Sequence, residues 1–228
     1  MSAAAPQGFA NLPAPLGPGS ADAGGANIFA FGGQIWSQDA QGNLWSLNQP
    51  RGDYLPGDSN LLEWNFDPAG ASSTGVICVT NKVALARINV RTPMVVTNVV
   101  FNVNTVASSL TASQNFAGIY SSAGALLGTS AAGSLDSKVT STGVITQALA
   151  SPVSLGPGFY WTALMFNGTT PPIVATAPNS LVNANTGLTA AFYRWATNGT
   201  GTTALPASIT PASNGVGSGA VAYWVGVS

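Results

Sequence analysis

Ionisable side chains are scarce in this sequence, and histidine is absent. The 228 residues include six Lys or Arg and seven Asp or Glu, so 6% of the residues are charged, against about 25% in an average soluble domain. Without histidine a Ser-His-Asp triad cannot form, and few groups remain for acid–base or nucleophilic chemistry. The composition therefore predicts a structural or binding protein with no catalytic residues and no cofactor, rather than an enzyme.

Cysteine occurs once, which excludes an internal disulfide bond. Cys78 lies in the apolar run 76–79, and free cysteine is among the most buried residue types. We therefore expect it to be a small core residue. One cysteine and no histidine also leave only carboxylates as metal ligands, so no zinc or other metal site is predicted.

Long apolar runs and clusters of positive charge are also missing. No stretch of 18 apolar residues is present, and residues 2–33 have neither a basic start nor a continuous apolar segment, so we expect no membrane span and no secretory signal. The net charge is −1, and the six cations are dispersed. These features predict neither a nucleic-acid partner nor a membrane partner.

The composition changes near residue 75. Six of the seven acidic residues precede that point, and residues 1–26 are rich in Ala, Pro and Gly without periodicity. Residues 27–67 carry three of the six Trp among many turn residues, with short strands predicted at 28–31, 34–37 and 43–47. We therefore predict an extended N-terminal arm and aromatic-rich anchoring segment over 1–75, held on other chains, and a separate domain over 76–228.

Residues 76–228 show β patterning throughout. Alternation places Val99, Phe101 and Val103 on one strand face, with asparagines on the other. Turn residues separate the runs, and no helical period is evident. The fold predicted is all-β: a β-sandwich, jelly-roll-like because the long connections 130–142 and 168–187 suit crossovers between sheets. Strands are predicted at 83–90, 94–104, 115–121, 125–129, 143–149, 159–167, 188–197 and 219–227.

One of these strands is apolar on both faces. In the run 158–166, Phe159, Trp161, Ala163 and Met165 alternate with another mostly apolar set. The pattern predicts a central strand that the second sheet covers on one side, and a neighbouring subunit or the arm on the other.

Aromatic side chains are the strongest candidates for binding, since Trp and Tyr stack on sugar rings and fill protein interfaces. Core or subunit packing is the competing interpretation. Asp53, Asp58, Glu63 and Asp67 would offer carboxylates to a glycosidase or to Ca²⁺, but no Ca²⁺-loop spacing is present and solvated loop carboxylates are the favoured interpretation. Arg51-Gly52-Asp53 is read as a chance integrin-type tripeptide. The candidate binding or interface aromatics are Trp36, Trp45, Trp64, Tyr193 and Trp195.

Five segments between residues 83 and 174 carry a family resemblance. They are VVTNVVFNV (95–103), LTASQNFAGIY (110–120), GALLG (124–128), PVSLGPGFY (152–160) and NGTTPP (167–172). Together they resemble a β-sandwich module of virion proteins from tailed phages of actinobacteria, of the minor tail, tail fibre or head fibre type. The resemblance spans about 40% of the chain and does not extend into residues 1–75.

The resemblance implies a β-sandwich on the exterior of a virion and no particular activity. The expectation is a non-enzymatic structural protein, either a minor tail or fibre component or a capsid decoration protein. Residues 1–75 would bind other virion proteins, and the chain would form a homotrimer or another symmetric homo-oligomer. Two alternatives stay open: a carbohydrate-binding module for cell-wall glycans on the host surface, and a glycan-cleaving enzyme that uses the carboxylates at 53–67.

Overall fold

The computed structural model describes residues 27–31, 34–38, 44–46, 54–177, 185–216 and 222–228. The predicted arm at 1–26 and Arg51-Gly52-Asp53 lie outside the described residues. By their contacts the residues form two units, Met1–Asp53 and Tyr54–Ser228. Residues 54–75, which the sequence analysis grouped with the arm, are therefore part of the larger unit.

The first unit contains an antiparallel three-stranded sheet. Its strands are β1 (Asn27–Phe31), β2 (Gln34–Gln38) and β3 (Leu44–Ser46), in that order across the sheet. Phe29 pairs with Trp36, and Ser37 pairs with Trp45. The three short strands predicted in this region are confirmed, with bounds that differ by at most one residue.

The second unit is built from strands and short 3-10 turns. The 3-10 turns are Pro56–Ser59, Pro68–Gly70, Lys138–Thr140, Ala190–Phe192 and Pro211–Ser213. The strands are β4 (Glu63–Trp64), β5 (Ser72–Ile77), β6 (Val83–Val90), β7 (Met94–Thr105), β8 (Ser108–Leu110), β9 (Phe116–Ser121), β10 (Leu126–Thr129), β11 (Gly143–Leu155), β12 (Gly158–Met165), β13 (Gly168–Thr170), β14 (Ile173–Thr176), β15 (Trp195–Asn198) and β16 (Val225–Val227).

Two antiparallel sheets form a sandwich, as the sequence predicted. Sheet I has the order β10-β9-β12-β6-β15. Sheet II has the order β4-β16-β7-β14-β5. Its sixth strand, β11, also pairs with β7. From β5 onward the main strands alternate between the sheets, apart from the β9–β10 hairpin, which is the crossing pattern expected of a jelly-roll-like fold. The small pair β8–β13 stands beside the two sheets.

The core between the sheets follows the predicted alternation. Val99, Phe101 and Val103 of β7 are buried there against Phe166, with the Phe101 and Phe166 ring centroids 6.1 Å apart. Cys78 lies in the same cluster, as expected. On the opposite face of β7, Asn102 donates to Asn104 at 2.7 Å. Alternation by two residues thus sets one sheet face apolar and the other polar.

The outer face of sheet I has a second apolar core, covered by residues 199–216. We call this segment the strap. Leu205 and Ile209 of the strap are buried in one cluster with Trp161 and Met165 of β12. The prediction of a central strand is correct, but the cover for its second face comes from the same domain, where the sequence analysis expected a neighbour or the arm.

The strap also pairs with both edges of sheet I. At the β15 edge, Thr197 and Gly215 exchange two backbone hydrogen bonds of 2.7 and 2.9 Å. At the other edge, Ala125 forms a bridge with Ser208. The Tyr120 hydroxyl donates to the Pro206 carbonyl at 2.8 Å. Edge strands with free N–H and C=O groups invite pairing with other chains, and the strap occupies these positions.

Two predicted strands are shorter than expected. The segment 188–197 contains a 3-10 turn and only the short strand β15, because the Asn185 side chain accepts hydrogen bonds from the amides of Arg194 and Trp195 at 2.7 and 3.3 Å. An asparagine that bonds the backbone competes with a sheet ladder. At the C-terminus, β16 begins at Val225, and residues 217–221 lie outside the described part.

Truncating the strap's apolar anchor tests its role. Leu205 is 8% exposed, so we expect Leu205→Ala to lower the free energy of unfolding by about 2–4 kcal/mol through lost burial and a residual cavity. Denaturant titration of the full chain measures this loss. Val216→Ala, at an exposed strap position, should change stability by less than about 0.5 kcal/mol. Equal losses of stability in the two variants would contradict a stabilising role of the buried Leu205 side chain.

Candidate binding surfaces

The five aromatic residues chosen from the sequence lie in different environments. Trp36 and Trp45 lie in β2 and β3 of the first unit. Trp195 is only 4% exposed and belongs to the core between the sheets, so it is not available to a ligand. Tyr193 is half-buried against the outer core of sheet I. Trp64 is half-buried and is the one that forms a described aromatic pair.

Trp64 stacks with Tyr54, a residue that the sequence analysis did not select. The ring centroids are 5.9 Å apart at an interplanar angle of 23°, and Tyr54 is 49% exposed. A tight turn presents Tyr54: the Asp58 carboxylate accepts from the Leu55 amide at 2.8 Å, and Ser59 donates to the Tyr54 hydroxyl at 3.1 Å. The pairing could not be read from sequence because ten residues separate the two rings.

The segment 61–66 is fixed to the last strand of the domain. Leu62 donates to the Val227 carbonyl at 2.8 Å. Asn65 donates to the Tyr223 carbonyl at 2.7 Å and accepts from the Val225 amide at 3.0 Å. These bonds join residues about 160 positions apart and hold Trp64 in place on sheet II.

A groove of about 390 Å³ lies on the outer face of sheet II. Its lining combines apolar side chains with hydroxyl and amide groups and includes no charged side chain. Ser59, which bonds Tyr54, connects the groove to the aromatic pair. Such a surface suits a neutral, polar ligand with an apolar face. The lining residues are Ser59, Asn60, Leu61, Pro68, Val100, Val144, Thr146, Trp224 and Ser228.

Each carboxylate in the described part of the chain binds a backbone amide. Asp58 accepts from Leu55, and Asp67 accepts from Ala69 at 2.8 Å within its own turn. Glu63 accepts from Trp64 at 3.1 Å. Asp136 accepts from Ser113 and from the Asn115 side chain, both at 2.7 Å. The contacts of Asp58, Asp67 and Asp136 stabilise turns and loops, and that of Glu63 lies within β4. Asp53, the fourth carboxylate suggested for hydrolysis, lies outside the described residues.

Among the groups whose pKa values burial shifts, Cys78 and Glu63 bear on catalytic chemistry. Burial raises the pKa of the Cys78 thiol to about 12, so the thiolate that nucleophilic chemistry needs is not populated near neutral pH. Burial also raises the pKa of the Glu63 carboxyl, and the Trp64 amide and the charge of Arg91 offset part of that rise. Burial of Glu63 therefore favours the protonated carboxyl in the folded state.

Sequence reasoning missed a second surface, on the outer face of sheet I. Arg87 of β6 lies 5.5 Å from the Phe159 ring centroid and donates through Nη1 to the Phe192 carbonyl at 2.7 Å. The Phe159 and Phe192 rings are 5.8 Å apart, and Phe192 is 50% exposed. Arg194 is exposed beside them. The alternation in β6 places Arg87 on one face of the strand. It does not show which strands lie beside β6, and these strands bring Phe159 and Phe192 to Arg87.

Comparisons with known proteins add no relative. No family model, curated sequence or solved structure matches this chain. Within the described residues, no helix is long and apolar enough to cross a membrane. The same residues contain no group of three or more potential His, Cys, Asp or Glu metal ligands.

The raised pKa of Glu63 has a predictable effect on stability. Because folding favours the protonated carboxyl, its contribution is fully present below the unfolded pKa near 4.5 and is lost as the pH rises through the folded value. Glu63→Gln should therefore raise the melting temperature more at pH 7 than at pH 4. Calorimetry at both pH values measures the difference. If Glu63→Gln raised the melting temperature equally at both pH values, the stability would not be linked to the titration of Glu63.

Proposed function

We propose that this chain is a non-enzymatic structural protein on the exterior of a tailed-phage virion, as a minor tail or fibre component or as a capsid decoration or head-fibre protein. The observation that supports the non-enzymatic part is that the carboxylates are engaged by the backbone. All four in the described part of the chain accept backbone amides, which gives each a structural role. The virion setting rests on the resemblance over residues 83–174.

The strap bridges at both edges of sheet I support a role in a crowded assembly. A protein present in many copies at high local concentration gains from edges that cannot pair with a neighbour. The strap forms a bridge at each edge of this sheet, at Ala125 and at Thr197. On sheet II, the Lys138 ammonium, which comes from the 3-10 turn before β11, donates to the Thr146 carbonyl of β11 at 2.6 Å, and a charged side chain at a strand edge disfavours pairing with another chain.

In this proposal the N-terminal segment attaches the domain to other virion proteins. Residues 54–75 are part of the sandwich unit, so the attachment would depend on residues 1–53. Such an arrangement suits a symmetric homo-oligomer, in which each copy repeats one contact.

Copy number per particle is the measurement that tests this proposal. Quantitative mass spectrometry of purified particles, scaled to the major capsid protein, should detect the chain at a fixed stoichiometry. Hundreds of copies would indicate a capsid decoration protein, and a handful in multiples of three or six would indicate a tail or fibre component. Absence from purified particles of a phage that encodes the chain would overturn the virion proposal.

A second function, carbohydrate binding, is favoured by one observation. The stacked Tyr54–Trp64 pair adjoins an uncharged groove with hydroxyl and amide groups at its surface. Aromatic rings beside hydrogen-bonding groups are suited to the apolar face and hydroxyls of a neutral sugar.

Substitution of the aromatic pair tests this second function. Tyr54→Ala and Trp64→Ala should each weaken binding of neutral cell-wall oligosaccharides at least about fivefold, the loss expected for an interface aromatic. Titration calorimetry on the purified chain measures the affinity. Val95→Ala, which removes an exposed apolar group elsewhere, is the control. If all three variants bind as the unaltered chain does, or if that chain does not bind, carbohydrate recognition at this groove is excluded.

A further inference from the structure

Two of the six cations in this chain face each other beside a strand pairing: Arg87 lies in β6, and Arg194 is the residue before β15. The Arg87 amide donates to the Arg194 carbonyl at 2.8 Å, next to the pair Ala86–Trp195 that begins the β6–β15 ladder. Directly opposed residues on antiparallel strands have their side chains about 5 Å apart, and like charges there are destabilising. A sequence with so few charges would be expected to avoid this arrangement unless it has a use.

No described carboxylate compensates the two charges. The pKa of Arg87 is lowered by burial and, after that, by the charge of Arg194, with no acidic group acting against them. Arginine nonetheless stays protonated in proteins. Of the Arg87 guanidinium, Nη1 binds the Phe192 carbonyl, and the buried Nε has no partner within the described part. The pair therefore presents uncompensated positive charge.

The Phe159 ring limits how the Arg87 side chain can move, and the backbone of Arg194 is fixed. Phe159 lies beneath Arg87 and also contacts Trp161, whose ring centroid is 5.9 Å away. Arg194 follows a 3-10 turn that Asn185 fixes through the Arg194 amide. The exposed Phe192 ring adds an apolar surface beside the charges. Positioned guanidinium groups bind carboxylate and phosphate with two parallel hydrogen bonds.

We propose that Arg87, Arg194 and Phe192 form a binding site for an acidic glycan, in which the two guanidinium groups hold a carboxylate or phosphate and Phe192 contacts the sugar ring. A peptide is the less favoured ligand. Peptides commonly bind by adding a strand to a free sheet edge, and the edge of β15 beside this site is already paired with Gly215.

An acidic glycan would be the ligand class of the host-surface contact. Only this biological setting rests on the proposed function. Binding is measured on the purified chain, whereas the virion proposal is tested by copy number in particles. Failure of one measurement therefore leaves the other interpretable.

The test is a titration of the purified full chain at low salt, followed by NMR and calorimetry. The probes are a tetragalacturonide for the carboxylate, glucose 6-phosphate for the phosphate, and a neutral tetragalactoside as control. We expect one or both acidic sugars to bind and the neutral one to bind at least about tenfold more weakly. Arg194→Gln should weaken acidic-sugar binding by roughly tenfold, the loss expected for a charged hydrogen-bonding partner.

Matched variants separate the site from the overall charge. Lys82→Gln removes the same charge outside this site and should change the affinity less than twofold, while Phe192→Ala, at an exposed position, should weaken it severalfold. The proposal is overturned if Lys82→Gln and Arg194→Gln have equal effects, if the neutral sugar binds as well as the acidic ones, or if no probe binds. Tighter binding of polyglutamate than of the tetragalacturonide would assign the site to acidic polypeptides and also overturn it.

Discussion

Strand β12 is buried on both of its faces, and much of the domain is arranged around that constraint. One face contributes to the core between the sheets, so the other requires a second apolar layer. Leu205 and Ile209 of the strap supply it, at about 1.5–3 kcal/mol for each large apolar side chain removed from water. The strap crosses sheet I from one edge to the other, and it forms a bridge at each edge. Cover of the core and protection of the edges are therefore one structural solution.

The scarcity of charge gives the few ionised groups separate structural roles. The described carboxylates are bound to backbone amides, in turns or, for Glu63, in β4, which replaces water around the anion with fixed N–H donors. They are consequently not placed opposite the arginines. Arg87 and Arg194 thus share one strand pairing without a counter-ion in the described part of the chain, which is the reason that a near-neutral protein has a localised positive surface.

The two candidate surfaces lie on opposite outer faces of the sandwich. The neutral groove beside Tyr54 and Trp64 is formed on sheet II, where Val100, Val144 and Trp224 point away from the core. The Arg87–Arg194 surface lies on sheet I, at the part of the outer face that the strap leaves open. A domain attached through its N-terminal segment would present two chemically different faces, one suited to a neutral ligand and one to an anion.

Composition and alternation were enough to predict an all-β sandwich, the central strand 158–166, a buried Cys78 and the strands 83–90 and 94–104, since a period of two residues reports directly which face is buried. They were not enough for the strap, for Trp195 in the core or for the rings of Tyr54 and Trp64 brought into contact, because each depends on pairings between distant residues. The opposition of Arg87 and Arg194 depends on strand register, and a shift of one residue would turn the side chains to the other face. The sequence by itself determined the class of fold and the scarcity of ionisable side chains. The tertiary structure alone decided which of the few charged and aromatic side chains meet at the surface, because those contacts depend on strand pairing.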